Sequence, residues 1–572
     1  MHRLGAFFLS RAALLGLALL LPRPAAAAWP TDPSENLPLC TAPSAQRFPT
    51  IVSDGVGGAI VAWQDFRSGN WDIYAQRVSA DGALLWTEDG VVLPSHASER
   101  LPSIVSDGAG GAIVVWQSGP FNYEVYAQRI SAGGALLWAE GGVALCDVER
   151  DQSSFAVVPD GAGGAIVTWQ DNRSGYGNYD IYAQRISADG TVQWTDNGVA
   201  LCTATGRQQT PVIVSDGAGG AIVIWSDERT VTTAEIYARR ISAGGTLQWA
   251  ADGVALSSAT GALNPTAVSD GAGGAIVAWE DHRNGGGNID IYARRISADG
   301  AVRWTANGVA LCTAAAEQIW PGIVSDGAGG AIVAWEDARL GRDNHDIYSQ
   351  RILADGTVPW AADGVALCTG ANYQGAQSVT PDGAGGAIVA WCDGRSGNEV
   401  YSQRISADGA VQWPADGVLV CTYPIYARDL PRIVSDGTGG AIVTWFDSRN
   451  GDAGDPDDIY AQRVQANGQL GGDAWVDVPP ERPLAFALDP VRPNPLRGGT
   501  LTVHFTLASA TPASLELLDV AGRRIARREV GSLGAGRHAL GLGDGCRLAP
   551  GLYLVCLRRG TDTRVRRVAV LE

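Results

Sequence analysis

The chain has 572 residues, 46% of them apolar and 74 of them glycine, enough to bury sizeable cores between many tight turns. Its formal charge of −18 at pH 7 is unevenly spread, since residues 480–572 hold 14 arginines against 8 acidic side chains and the remainder carries −24. An excess of that sign argues against nucleic acid as a partner, because phosphate backbones reward the opposite charge.

Residues 1–28 place Arg3 and Arg11 around an apolar stretch, continue through Leu14 to Leu21 and end at Ala25 to Ala28. This is the pattern of a secretory signal peptide. The apolar run is too short for a stable membrane span, and no other segment approaches the roughly 20 residues that one needs. The mature protein is therefore expected to be soluble and exported, in the medium or at the outer cell surface.

From residue 54 onward the chain repeats itself. The element Asp-Gly-x-Gly-Gly-Ala-Ile-Val-x-Trp begins at Asp54, Asp107, Asp160, Asp216, Asp270, Asp326, Asp382 and Asp436. Each copy is one supersecondary unit that cannot bury its own apolar faces, so the copies must stack. Copy five shows the strand plan, with Pro265 to Val268, Gly273 to Trp279, Ile289 to Ile296 and Val302 to Cys312 as four short strands. Asp270-Gly271 and Asp299-Gly300 supply the positive φ that tight hairpins require, which makes each unit an antiparallel meander. Ala275 to Trp279 is apolar on both faces, as befits a sheet covered on both sides. The expected fold is all-β: an eight-bladed β-propeller of four-stranded blades over residues 29–477.

Copies one to seven end in a fourth strand anchored by Trp86, Trp138, Trp194, Trp249, Trp304, Trp360 and Trp413, whereas copy eight stops near Gln469-Leu470. Trp29 to Cys40 reads as the missing fourth strand, closing the ring from the N-terminal side and leaving no free edge. Trp475-Val476 is the alternative candidate for that strand.

Most repeated polar residues read as scaffold. Trp-x-Asp-x-Arg recurs at Asp65/Arg67, Asp171/Arg173, Asp227/Arg229, Asp281/Arg283, Asp337/Arg339, Asp393/Arg395 and Asp447/Arg449, and copy two breaks it at Ser118-Gly119-Pro120. Residues two apart on a strand share a face, so this Asp and Arg can pin the strand end to the next loop. Six of the nine cysteines, Cys40, Cys146, Cys202, Cys312, Cys368 and Cys421, fall at one place in successive units and read as small buried hydrophobes, as does Cys392. Cys546 and Cys556 are the plausible disulfide pair.

What varies is the connection between second and third strands and that between one unit and the next. In a meander both emerge on the same face, and binding residues concentrate on such loops. That face holds the non-repeated aromatics Trp71, Tyr123, Tyr176, Tyr179, Trp320, Tyr373, Tyr423 and Tyr426, candidates for glycan or protein contact. His282 and His345 lie in its loops and give weak support to a metal or acid–base site. Asp452, Asp455, Asp457 and Asp458 could ligate calcium, although they lack the regular spacing of a calcium loop. No catalytic residue, resident metal or cofactor is expected.

Residues 478–489 form a proline-rich linker, and residues 490–572 read as a small β-sandwich. Asn494-Pro495, Leu517 to Arg523 with Asp519 and Gly522, Gly534 to His538 and Ala549 to Tyr553 with Gly551 resemble the C-terminal sorting domain of type IX secretion cargo and the immunoglobulin-like domain of flagellar hook-capping proteins. Leu496 stands where that family usually has Phe, and Arg566-Arg567 where it has Lys. The resemblance implies secretion machinery as a partner, with passage across an outer membrane. The repeats themselves resemble uncharacterised exported bacterial propeller repeats.

The sequence therefore leads to a non-catalytic recognition or adhesion propeller at the cell surface. The alternatives are an envelope component without a discrete ligand and a polysaccharide-acting enzyme. An enzyme should break the repeat symmetry near the axis, and no lone carboxylate pair stands out from the pattern.

Overall fold

A computed structural model of the chain describes residues 29–93, 98–119, 123–148, 150–175, 177–230, 234–258, 261–423, 431–450, 457–472, 486–488, 496–497, 501–507, 513–530, 536–542, 548–559 and 562–571. The expected signal peptide lies outside them. Among them no helix is long and apolar enough to cross a membrane. The chain divides into two compact units, residues 1–472 and 473–572.

The first unit is a series of antiparallel sheets in which consecutive strands pair in order. In copy five these are Ala262–Ser269, Ala275–Asp281 and Asp290–Ile296, followed by two short pieces, Val302–Arg303 and Val309–Cys312. Both pieces pair with Asp290–Ile296. The fourth strand is thus not the continuous run expected from sequence. Trp304 and Asn307 take φ of 67° and 59°, so the chain turns between the pieces. The tryptophan of that turn reaches the next sheet, its Nε1 donating to the carbonyl of Ala354 at 3.2 Å.

Second strands are the best-buried elements: every residue of Ala275–Asp281 is buried, with Trp279 fully so. Each such tryptophan covers on the order of 200 Å², about 5 kcal/mol of gross hydrophobic stabilisation. Its cluster crosses between sheets, joining Ile222, Ile224 and Leu256 of copy four to Val277, Trp279 and Ile296 of copy five. The Asp-Gly turns are nailed down in the same way throughout. Asp270 Oδ1 accepts from the amides of Ala272 and Gly274, and its Oδ2 accepts from Arg295, whose other nitrogen donates to Ala354 O in the next sheet.

Leu37–Cys40 pairs with Asp458–Val464 of the last sheet, which supplies the fourth strand of copy eight from the N-terminal side. The sheet-to-sheet contacts recur there too. Arg463 and Trp29 of that sheet both donate to Ala80 O of the first one. One apolar cluster unites Trp29, Leu39 and Ile459 with Ala59, Val61 and Trp63.

The second unit holds a three-stranded sheet, Ala487–Leu488, Leu501–Leu507 and Gly536–Leu542, and a five-stranded sheet that includes Ser514–Asp519, Gly551–Arg559 and Asp562–Leu571. Val503 and Phe505 of the first share one core with Leu515, Leu517, Val555 and Val568 of the second. Asp519 accepts from the amides of Ala521 and Arg523 and pairs with the Arg523 guanidinium, closing a hairpin in which Gly522 takes φ 79°. Tyr553 donates to Ala549 O. Asn494, Pro495 and Cys546 lie outside the described residues, and Cys556 is buried as a free thiol.

Candidate functional site

First strands carry a distortion that their sequence did not reveal. In seven of them the register slips between the second and fifth residues, as at Ile319/Gly322. The bulged residue takes a left-handed backbone: Phe48, Leu101, Ser154, Thr210, Asn264, Trp320 and Ala376 have φ between 47° and 55°. For Phe, Leu, Trp and the β-branched Thr this is a strained conformation, which persists only where surroundings impose it. At Leu101, Thr210, Trp320 and Ala376 it is held by the residue after the second-strand tryptophan of the preceding copy, whose side-chain oxygen accepts from the bulged amide. Gln64 Oε1 accepts from Leu101 N at 2.8 Å, and Gln170 Oε1 accepts from Thr210 N at 3.1 Å.

In copies five and six that position is acidic, where the other copies carry Gln, Ser226, Cys392 or Phe446. Glu280 Oε1 accepts from Trp320 N at 2.7 Å, and its Oε2 accepts from Asn264 Nδ2 at 3.0 Å. Glu336 Oε1 accepts from Ala376 N at 2.7 Å. Its Oε2 accepts the Tyr373 hydroxyl at 3.1 Å and lies 3.2 Å from His345 Nδ1. The two rings sit 5.4 Å apart. The Glu336 side chain is 3% exposed and that of His345 12%. The hydrogen bond to Glu336 holds the imidazole pKa above its ordinary value against the opposing effect of burial, so His345 keeps its proton to higher pH. Next to it, Asp346 is fully buried with neither carboxylate oxygen hydrogen-bonded, and burial pushes it up to about 6.

Trp320, at 57% exposure, is the most open of the described aromatics expected on this face. Its carbonyl accepts from Gln377 Nε2. It borders a cavity of about 400 Å³ walled by first strands of six successive copies, from Ser154 and Thr210 through Asn264 to Gln377 and Arg432.

The other expected contact aromatics are dispersed. Trp71 is half-buried against Phe66, with ring centroids 5.1 Å apart. Tyr123 and Tyr179 are half-buried and lend their carbonyls to Gln152 N and Gln208 N. Tyr423 is exposed, with the Arg449 guanidinium 4.1 Å above its ring. Tyr176 and Tyr426 lie outside the described residues, as do Asp452 and Asp455. Asp457 pairs with Arg47, and Asp458 accepts from Asn450. His282 Nε2 is 3.9 Å from Glu280 Oε2. Among the described residues no group of three or more His, Cys, Asp or Glu is disposed to hold a metal ion.

The repeated acids and arginines are scaffold. Asp281 Oδ2 accepts from Trp279 Nε1 at 2.9 Å and from Arg283, whose guanidinium also donates to Asn307 O and lies 3.8 Å over the Tyr292 ring. The cysteine of the preceding sheet completes the group, as where Cys312 Sγ lies 3.8 Å from Asp337 Oδ2. Burial pushes the thiols of Cys40, Cys202, Cys312, Cys368 and Cys421 up to about 12.

No protein-family model and no curated protein matches the chain. Among solved structures it is similar to a protein of unknown function from Dyadobacter fermentans, at 10% identity over 75% of this chain and 98% of that one, with a TM-score of 0.35. It is also similar to an ulvan lyase of a polysaccharide lyase family, at 10% identity over 66% and 96% with a TM-score of 0.39. A Penicillium chrysogenum α-L-arabinanase complexed with arabinobiose follows, at 13% identity over 56% and 98% with a TM-score of 0.31. At such scores the likeness brings no substrate or mechanism to this chain. The expectation of a non-catalytic adhesion protein, and of a chain that is no enzyme, is nonetheless corrected. Carboxylates that stand apart from the repeat pattern are present at Glu280 and Glu336.

Proposed function

We propose that the chain is a glycan-cleaving enzyme built on a closed, eight-bladed propeller, with its site on the variable-loop face around His345, Tyr373 and Glu336. The observation that carries this reading is one buried carboxylate oxygen shared by a phenol and an imidazole, at a position that is acidic in only two of the eight copies. Cleaving a glycosidic bond requires a proton at the leaving oxygen. His345, kept protonated by Glu336, is the group to deliver it, with Tyr373 sharing the same carboxylate. Glu336 acts as a positioning residue through these two rings. Trp320, open and rigidly held, offers a face on which a sugar can stack. The eight-bladed closure is supported by the pairing of Leu37–Cys40 with the last sheet and by the repeat of the Arg and Trp contacts between last and first sheets.

Residues 490–572 are proposed as a sorting-type domain after a linker at 478–489, delivering the protein outside the cell once residues 1–28 are removed. The support is the set of four motifs, and truncation at residue 490 should leave the protein behind in the periplasm.

The test of the catalytic reading is release of reducing or unsaturated ends from a panel of plant, algal and bacterial polysaccharides. His345→Gln should lower the rate on the responding substrate by about 10²-fold or more, the usual contribution of a positioned acid or base. An unchanged rate in that variant would remove His345 from the chemistry.

A further inference from the structure

The cavity walled by the first strands contains one residue out of keeping with its repeats. Arg432 pairs with Thr444, the register position held elsewhere by Thr50, Ser103, Ala156, Val212, Thr266, Gly322 and Ser378. Seven copies thus place a small neutral residue where the eighth places a guanidinium on a cavity wall.

The surroundings make this cation unusual. Repeated arginines of the unit are matched with carboxylates, as Arg404 is with Asp382 and Arg449 with Asp447. Arg432 has no hydrogen bond or ion pair within the described residues, and its remaining cavity neighbours are neutral: Ser154, Thr210, Asn264, Trp320 and Gln377. Removal from water lowers its pKa, the signature of a charge without a counter-charge, although a guanidinium stays protonated through any physiological pH. Arg432 is half-buried, and a cation partly withdrawn from water without an anion gains from a partner of opposite charge. Guanidinium geometry fits a carboxylate or sulfate through two parallel hydrogen bonds.

We propose that this cavity binds the anionic group of an acidic glycan, a uronate carboxylate or a sugar sulfate, on Arg432 while a neighbouring ring stacks on Trp320. The inference rests on the glycan-acting reading for its ligand and narrows that reading to acidic polysaccharides. The neutral hydrogen-bonding groups along the wall, Ser154, Thr210 and Asn264, would meet the sugar hydroxyls.

The test is calorimetric titration of the full chain with trigalacturonate, with a sulfated galactan oligosaccharide and with neutral galactotriose. The wild type should prefer one anionic probe over the neutral one by about tenfold or more, and which of the two wins identifies carboxylate or sulfate as the group bound. Arg432→Gln should abolish that preference, and Arg432→Lys should restore part of it. Because an inner-strand change can disturb folding, Ser154→Asp provides a second route. It adds an exposed carboxylate at the rim and should weaken the anionic probe relative to the neutral one. Equal binding of all three probes by the wild type, or a preference that survives Arg432→Gln, would overturn the proposal. Arg432-dependent anion binding without turnover of any polysaccharide would uphold this site and sink the catalytic reading. Turnover of a neutral glycan with no anion preference would do the reverse.

Discussion

Replacing Asp281 by Ala separates scaffold from chemistry. Asp281 is fully buried and accepts four hydrogen bonds: from Trp279 Nε1 at 2.9 Å, from Arg283 N at 3.1 Å, and from Arg283 Nε and Nη2 at 2.6 Å each. The variant strands the fully buried Trp279 Nε1, a cost of about 1–3 kcal/mol for one unsatisfied donor. It also leaves Arg283, a quarter exposed, without its carboxylate. Breaking a buried pair from one side costs about 3–5 kcal/mol, and the part-exposed guanidinium puts the expectation near 3. Copy two shows what the loss looks like, for Ser118 stands in place of the acid and Trp116 Nε1 has no partner. The assay is a denaturant titration read as a midpoint shift at constant slope, with the exposed Glu88→Gln as a control held within about 0.5 kcal/mol. A loss under about 1 kcal/mol, with glycan turnover abolished, would refute the structural assignment and make Asp281 a participant in the reaction.

Other outcomes follow from the same geometry. The buried thiols should resist alkylation in the native protein at pH 8 and react only on unfolding, since burial keeps Cys40, Cys202 and Cys312 protonated up to about 12. Gly308→Ala should destabilise more than Gly271→Ala: both residues have positive φ, but a Cβ at 308 would stand 2.8 Å from Trp279, while that at 271 would meet open space. The expected costs are about 2–4 kcal/mol against about 1 kcal/mol, measured in the same titration. Because the His345 pKa is raised in the folded state, its charged pairing with Glu336 stabilises fully below the unfolded value of about 6.5 and is lost as pH climbs through the folded one. The stability gap between wild type and His345→Gln should therefore be widest in acid and narrow as pH rises, and a gap independent of pH would contradict the pairing.

The architecture was legible because one packing problem is solved eight times with nearly the same letters. Asp270, Gly274, Trp279 and Arg295 recur since each turn needs the same carboxylate, each close approach the same glycine and each interface the same indole. The break in the fourth strand was hidden, because Trp304 adopts a left-handed φ that its residue type does not announce, while Asn307, of a type that tolerates one, reads equally well as part of a strand end. The site escaped for the opposite reason, being written in single departures from the repeat. Glu280 and Glu336 look like Gln64 and Gln170 until the left-handed bulges of Trp320 and Ala376 show what that position grips. Arg432 is one arginine among many in the sequence and gains meaning only from its register with Thr50 and Gly322. Trp320 and Tyr373 stand out in the sequence as non-repeated aromatics of the variable connections, and only the fold shows that one borders the cavity while the other shares Glu336 with His345.

The most direct test of the central claim is turnover of acidic and neutral polysaccharides by the wild type and by His345→Gln, followed as release of reducing and unsaturated ends. The account predicts end release from an acidic polysaccharide, slowed by about 10²-fold or more in the variant while its melting behaviour stays near that of the wild type at pH 8. A properly folded wild type that releases no ends from any polysaccharide would contradict it.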